Sequence, residues 1–187
     1  MSTERGTVVV LVAHPNLMES KANKELADTV KEMEGVFVYD LYDKHKQEFD
    51  VDDWSRLLSE ASALVFQFPL QWMSAPFMIK RWQDEVLTFL SKTPAIAGKP
   101  FMIVTTTGSE YDAYRTGGRN RFTMDEILRP YQVMALHAGM LWQTPIIAYA
   151  VDAEEGGKSI SLAANKYREK LTSFVSTGKT FVAEGWY

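Results

Sequence analysis

The fold of this chain is constrained most by an alternation along its sequence. Continuous apolar runs alternate with segments in which apolar residues recur every three or four positions, as they do in helices. The first run, at residues 7–13, reads Thr-Val-Val-Val-Leu-Val-Ala, which is typical of a strand buried on both faces. Apolar residues then recur at helical spacing from Lys21, with Ser20 as a candidate N-cap. The alternation continues along the chain. It predicts a parallel sheet with helices on both faces.

The same patterns set the boundaries of the predicted elements. Strands are expected at 7–13, 36–41, 63–69, 101–106 and 145–150. Helices are expected at 21–35, 53–62, 75–91, 123–140 (with a kink or restart at Pro130) and 162–175. No repeat or linker divides the chain, so we predict one domain over residues 1–187. Five parallel strands suit the flavodoxin-like order 2-1-3-4-5, whose ligand binds at the carboxyl ends near strands 1 and 3.

Composition excludes several functional classes. Hydrophobic residues make up 46% and charged residues 24% of the chain, as in ordinary globular proteins. The absence of cysteine excludes a disulfide framework, a cysteine nucleophile and thiolate metal ligands, and we predict no metal site. A net charge of −4 argues against a dominant basic face, so no nucleic-acid partner is expected. With no targeting or membrane-spanning run, we expect a cytoplasmic protein.

The loop after the first strand has the composition of an anion site. His14 follows the strand, and Ser20, Lys21, Ala22 and Asn23 open the next helix. A helix N-terminus offers backbone amides and a favourable dipole to a phosphate, and neither a dinucleotide glycine motif nor a Walker lysine is present. Ser20 can equally serve only as an N-cap and His14 as an ordinary loop residue, and this loop alone does not decide between the two.

The loops after the third and fourth strands carry aromatic and hydroxyl groups. Residues 69–76 form a loop with a proline near each end that displays Trp72, which can cover a flat heterocycle or simply pack. Residues 106–109, Thr-Thr-Gly-Ser, allow close backbone approach to a ring edge or merely cap the strand. Tyr114 adds a phenolic donor. Taken together, the three loops predict a pocket for flavin mononucleotide (FMN).

Longer motifs extend this pattern in one order over residues 7–175. They are Ala-His-Pro at 13–15, Phe-Pro-Leu-Gln-Trp-Met-Ser-Ala-Pro at 68–76, Thr-Thr-Gly-Ser at 106–109, Asn-Arg-Phe at 120–122, Leu-Arg-Pro at 128–130 and Gly-Met-Leu-Trp at 139–142. In these motifs the chain resembles the NAD(P)H:quinone oxidoreductase family of flavodoxin-like flavoproteins. The likeness is greatest to the ancillary reductases of glutathione-regulated potassium efflux systems.

The resemblance implies a role for each candidate residue. The flavin phosphate would be held by His14, Ser20, Lys21, Ala22 and Asn23; the isoalloxazine would be lined by Pro69, Leu70, Gln71, Trp72 and Met73; its pyrimidine edge would meet Thr106, Thr107, Gly108 and Ser109. Tyr114 matches a family tyrosine near the ring carbonyl and is the expected catalytic residue.

Three positions depart from the family pattern. Ser109 stands where a second glycine is usual, and Met73 replaces a frequent aromatic residue. Asn120 occupies the place of a histidine that relays protons in the animal enzymes, which leaves the proton donor open.

The resemblance also implies the reaction and the partners. FMN is favoured over FAD because no further domain extends the site toward an adenine. NADH or NADPH would reduce the flavin and a quinone would reoxidise it from the same place, in a ping-pong cycle, within a homodimer. Two other functions stay open: a regulatory subunit docked on a potassium efflux transporter at the inner face of the membrane, and an electron-carrier flavodoxin.

Overall fold

A parallel sheet lies at the centre of the protein. The computed structural model describes residues 6–43 and 48–177, and its strands are β1 (Val8–Val12), β2 (Val36–Asp40), β3 (Ala63–Pro69), β4 (Pro100–Thr106), β5 (Leu141–Trp142) and β6 (Ile146–Ala148). They run in the order β2-β1-β3-β4-β5, and β6 also pairs with β4. His45, for which the sequence predicts no functional role, lies outside the described residues.

The β-branched run at the N-terminus forms the central strand. All five residues of β1 are buried, and the strand pairs in parallel with β2 on one side and β3 on the other. Val10, for example, lies opposite Val38 and Val65. Since both faces of this strand are covered, a continuous apolar sequence is what its position requires. The predicted flavodoxin-like α/β fold and strand order are confirmed.

Helices cover both faces of the sheet. They are α1 (Lys21–Lys31), α2 (Val51–Glu60), α3 (Phe77–Trp82), α4 (Thr88–Leu90), α5 (Met124–Ile127), α6 (Arg129–Ala138) and α7 (Gly156–Thr177), with a π-helical segment at Gln83–Leu87 joining α3 to α4. On one face α1 and α7 pack through residues such as Leu26 and Tyr167. On the other, α2, α3 and α6 contribute Leu58, Trp82 and Ala135 to a second core.

The fifth strand differs from its prediction. Instead of one strand at 145–150, the structure has β5 and β6, which pair with opposite ends of β4. After β5, the backbone N–H of Gln143 still donates to Phe101 O at 2.8 Å. Pro145 has no amide hydrogen and therefore cannot continue the ladder, so pairing resumes only at Ile146.

Two helical predictions also change or gain detail. The last helix begins at Gly156, six residues before the predicted start, and a Cβ on Gly156 would meet Val151 O at 2.5 Å. Gly156 is therefore required by a close backbone approach at the start of the helix. The restart expected at Pro130 is confirmed, because α5 ends at Ile127 and α6 begins at Arg129. Within the described residues, no helix is long and apolar enough to cross a membrane.

Candidate functional site

An open cleft lies at the carboxyl ends of β1, β3 and β4. Its volume is about 470 Å³. Its lining includes most of the predicted site residues: His14, Ser20, Lys21, Ala22, Asn23, Pro69, Leu70, Gln71, Thr106, Thr107 and Gly108. Asn16, Glu19, Val151 and Asp152 complete the lining. The cleft thus joins segments that are more than 80 residues apart in the sequence.

The N-terminus of α1 forms one wall of the cleft. Ser20 caps the helix, because its Oγ accepts a hydrogen bond from Asn23 N at 3.1 Å. Lys24 N donates to Ser20 O at 3.2 Å. The first-turn amides of Lys21 and Ala22 have no acceptor within the helix, and both residues line the cleft. These amides and the positive end of the helix dipole suit an anion.

A buried amide network lies beneath this wall. Asn23 Nδ2 donates to Thr106 Oγ1 at 2.9 Å, and Gln67 Nε2 donates to Asn23 O at 2.8 Å. The two amide side chains are almost fully buried, and their oxygens, Asn23 Oδ1 and Gln67 Oε1, have no partner among the described residues. The network links α1 with β3 and β4.

His14 is neutral and oriented at the mouth of the cleft. Its Nδ1 accepts a hydrogen bond from Asn16 N at 3.0 Å, so the ring hydrogen is on Nε2. Burial lowers the pKa of His14 below its ordinary value, although the nearby Asp40 acts in the opposite direction. The imidazole is therefore a neutral donor near pH 7.

The segment after β4 approaches the loop after β6 closely. Thr107 N donates to Ala148 O at 2.9 Å, and Val151 N donates to Thr107 O at 3.1 Å. A Cβ on Gly108 would lie 2.8 Å from Asp152 Oδ2, so only glycine fits there without displacing that carboxylate. Sequence reasoning missed Val151 and Asp152. The rule that ligands bind at the carboxyl ends of strands would have found them, since they follow β6.

The loop after β3 leaves its largest side chain in solvent, outside the cleft lining. Gln71 and Ser74 exchange two backbone hydrogen bonds of 2.8 and 2.9 Å. Trp72 and Met73 between them have φ angles of 48° and 61°. Trp72 is 99% exposed and Met73 50% exposed, and neither lines the cleft, whereas Pro69, Leu70 and Gln71 do.

Tyr114 reaches the cleft only through Thr107. Its phenol is buried and hydrogen-bonded to Thr107 Oγ1. Tyr114 itself lines a second cleft of about 490 Å³, together with Tyr111 and Tyr149. There burial raises the pKa of Tyr149 to about 12.

Ser109 is the remaining predicted site residue outside the first cleft. Its Oγ accepts a hydrogen bond from the Arg119 guanidinium at 2.9 Å. A serine in place of a second glycine therefore fixes an arginine beside the Thr-Thr-Gly segment.

Comparison with known proteins agrees with this architecture. The Flavodoxin-like fold family matches residues 6–171. The glutathione-regulated potassium-efflux system ancillary protein KefG from Yersinia enterocolitica is 36% identical over 183 residues, which cover 95% of this chain and 99% of KefG.

Solved structures give the same result. General stress protein 14 from Treponema denticola, solved in complex with FMN, matches with a TM-score of 0.81 and 27% identity, covering 89% of this chain and 98% of that one. An NADPH-quinone reductase from P. pentosaceus matches with a TM-score of 0.77 and 25% identity over 87% of this chain and 96% of that one. The chain belongs to the Flavodoxin-like fold family, with KefG among its relatives and quinone reductases among its structural neighbours.

Proposed function

We propose that the protein is an FMN-dependent NAD(P)H:quinone oxidoreductase. The observation that carries the proposal is the cleft in which the N-terminus of α1, the end of β3 and the Thr106–Gly108 segment meet. The FMN-bound structure of general stress protein 14 and the NADPH-quinone reductase are similar over nearly the whole domain. The first similarity supports a flavin in this cleft, and the second supports NADPH or NADH as the electron donor.

The donors and acceptors of the cleft fit FMN. The amides of Lys21 and Ala22, the Ser20 hydroxyl and His14 are donors for a phosphate. Asn23 Oδ1, buried and without a partner among the described residues, is an acceptor for a hydroxyl of a polyol chain. The carboxylates of Glu19 and Asp152 also line the cleft; they suit hydroxyl or ring N–H donors and not the phosphate.

When bound, FMN would supply the hydride chemistry between NAD(P)H and the acceptor. The chain's own contribution is position and electrostatics. The residues of the α1 wall hold the phosphate end, and Pro69, Leu70 and Gln71 line the ring end. In the 106–109 segment the amides of Thr107 and Ser109 already donate to Ala148 O and Thr107 Oγ1, so the Gly108 amide would offer its dipole to negative charge on the ring.

Tyr114 is proposed to act by positioning Thr107. Its buried phenol holds the Thr107 hydroxyl, and Thr107 lines the cleft. A fixed hydroxyl at the ring edge can donate to a carbonyl oxygen on which charge develops, without reorganising first.

Donor and acceptor are proposed to use one place in turn. The sequence has no second nucleotide motif, so the cleft at the carboxyl ends of β1, β3 and β4 would receive both reactants in turn. This suits a ping-pong cycle in which the oxidised nicotinamide leaves before the quinone enters. The quinone gains a hydride and a proton and leaves as the hydroquinone.

A homodimer is part of the proposal. The helices on one face of the sheet leave large apolar side chains in solvent, namely Phe77, Phe89, Val133 and Leu136, each more than half exposed. A second copy of the chain would cover this face, as apolar contacts do in obligate dimers. Light scattering at micromolar concentration tests this, and a fully active monomer would contradict it.

The similarity to KefG favours a second candidate function. It extends over 95% of the chain, and KefG is ancillary to a potassium efflux system. The chain would then bind such a transporter at the inner face of the membrane, with or without turnover. Co-purification of the tagged protein with transporter-containing membranes tests this, and a protein recovered only in the soluble fraction would count against it.

Two measurements test the main proposal. The flavin released by denaturing the purified protein should be FMN by chromatography and mass spectrometry. The same preparation should oxidise NADH or NADPH only when a quinone is added. A protein that retains no flavin, or a flavoprotein that NAD(P)H does not reduce, would contradict it.

A further inference from the structure

We propose that Gln67, a residue outside the cleft lining, positions the phosphate-binding turn of the cofactor cleft by fastening α1 to β3. This inference rests on the proposed function, because it assumes that the α1 wall binds the flavin phosphate. Gln67 is therefore a positioning residue: it acts on the bound group through Asn23 and does not contact it.

The surroundings of Gln67 are unusual for an amide. It is 0% exposed in the middle of a strand whose neighbouring residues, Phe66 and Phe68, are also fully buried. In the sheet it lies between Val12 of β1 and Val104 of β4. Burying an amide there costs free energy unless it is hydrogen-bonded. An apolar side chain would suit the sheet better, so the amide is explained by its partner.

That partner is the first turn of α1. Gln67 Nε2 donates to Asn23 O at 2.8 Å. The orientation of the amide is fixed, since a backbone carbonyl can only accept, and Gln67 Oε1 is consequently the buried atom left without a partner among the described residues. The bond connects residues 44 positions apart and so sets where the helix begins relative to the sheet.

Asn23 passes this constraint to both sides of the cleft. The backbone N–H of Asn23 donates to Ser20 Oγ, and its side-chain Nδ2 donates to Thr106 Oγ1 on β4. Shifting Asn23 would therefore move the capping serine and the amides of Lys21 and Ala22 together. Because hydrogen bonds to a phosphate depend steeply on distance and angle, a small shift would weaken phosphate binding more than ring binding.

A matched residue elsewhere in the chain provides the control. Gln143 is also buried, its Oε1 also lacks a partner among the described residues, and its Nε2 also donates to a backbone carbonyl, Leu141 O at 3.0 Å. That bond spans two residues and lies outside the cleft lining. Replacing Gln143 therefore removes the same kind of buried amide–carbonyl hydrogen bond without disturbing the N-terminus of α1.

The experiment compares Gln67→Met with Gln143→Met. Flavin is removed from the wild type and both variants, and each apoprotein is titrated with FMN and with riboflavin, which lacks the phosphate. We expect Gln67→Met to reduce the preference for FMN over riboflavin by about tenfold or more, since one charge-assisted bond is of that size. Gln143→Met should keep the wild-type preference. A folding defect alone would weaken both ligands equally and leave the ratio unchanged.

Each outcome decides the matter. A wild-type preference retained in Gln67→Met would overturn the inference while leaving the proposed function intact. A wild type that binds both flavins equally, or neither, would overturn the phosphate site and the inference together. If Gln67→Met does not fold, Gln67→Asn replaces it, because the shorter amide remains polar but cannot reach Asn23 O. The same loss of FMN preference is then required.

Discussion

The two ends of the cleft are built in opposite ways. At the α1 end, Asn23, Gln67 and Thr106 are 1%, 0% and 3% exposed and are joined by hydrogen bonds across three elements. At the other end the chain turns at Trp72 and Met73, which have positive φ angles, and Trp72 is 99% exposed.

The difference shows that one end of the cleft is hydrogen-bonded within a single chain, whereas the other end leaves a large side chain in solvent. The polar end is already arranged before any ligand binds, so binding there requires little reorganisation. The turn has a defined backbone, held by the two Gln71–Ser74 hydrogen bonds, but its indole has no contact that would bury it. We infer that the first end sets cofactor affinity and the second end sets which molecules meet the ring.

The largest effect is expected from breaking the polar end. Replacing Ser20 and Asn23 by alanine together should raise the dissociation constant of FMN by about 100-fold, because the Ser20 hydroxyl that donates to the phosphate and the Asn23 side chain that ties the wall to Thr106 are both lost. Loss of the N-cap should lower the free energy of unfolding by about 1 kcal/mol, and loss of the buried Asn23–Thr106 bond by about another 1 kcal/mol. Flavin titration and urea unfolding of the apoprotein measure the two quantities. Unchanged FMN affinity in a folded double variant would remove the phosphate assignment.

The next largest effect is expected at Tyr114, which holds the Thr107 hydroxyl of the cleft lining. Tyr114→Phe keeps the buried ring and removes the phenolic partner of Thr107 Oγ1, which retains the Ser109 amide at 3.2 Å. The reduction of flavin by NADPH or its reoxidation by quinone should slow about tenfold, with normal FMN content, since each 1.36 kcal/mol of barrier is a factor of ten. Tyr111→Phe, on the same turn but 60% exposed, is the control. Stopped-flow rates within about twofold of the parent would show that the Tyr114 phenol only packs.

A smaller effect is expected from removing the exposed indole. Trp72→Ala should change the free energy of unfolding by less than about 0.5 kcal/mol, because the side chain buries nothing. FMN affinity should also be unchanged. The KM for quinone should rise about fivefold, because a flat acceptor that enters the cleft would lose an apolar contact with the exposed indole next to Gln71. A loss of FMN affinity equal to that of the Ser20 and Asn23 double variant would contradict the division between the two ends.

The smallest effect is expected from His14 and pH. Burial lowers the pKa of His14 in the free protein, and a nearby phosphate dianion raises an imidazole pKa. FMN binding should therefore take up protons, and affinity should increase about twofold to threefold as the pH falls from 8 to 6.5. NMR titration of the His14 ring with and without FMN, assigned with His14→Gln, measures the shift directly. A pKa that does not rise with FMN would separate His14 from the phosphate.

Sequence patterns predicted the sheet because burial on both faces leaves a direct trace in β1, β3 and β4. The split of the fifth strand could not be predicted, because a proline such as Pro145 can also begin a strand. Only the structure shows that β5 ends its pairing at Trp142 and that the last hydrogen bond there is from Gln143 N to Phe101 O.

At the site, residue types and loops were predicted, but side-chain directions were not. The turn at Trp72 and Met73 has two positive φ angles. Neither tryptophan nor methionine is a residue type that predicts such a backbone conformation, so the exposure of Trp72 could not be predicted. The contact between Gly108 and Asp152 and the bond between Tyr114 and Thr107 depend on how distant loops meet. Such contacts exist only in the folded chain.

The central claim is that this cleft holds FMN for two-electron transfer from NAD(P)H to a quinone. The most direct test mixes the holoprotein anaerobically with one equivalent of NADPH or NADH and then with one equivalent of quinone. The account predicts loss of the flavin absorbance in the first step and its full recovery in the second, with one hydroquinone formed per nicotinamide oxidised. A flavin that neither nicotinamide bleaches, or one that is reduced but not reoxidised by quinone, would contradict it.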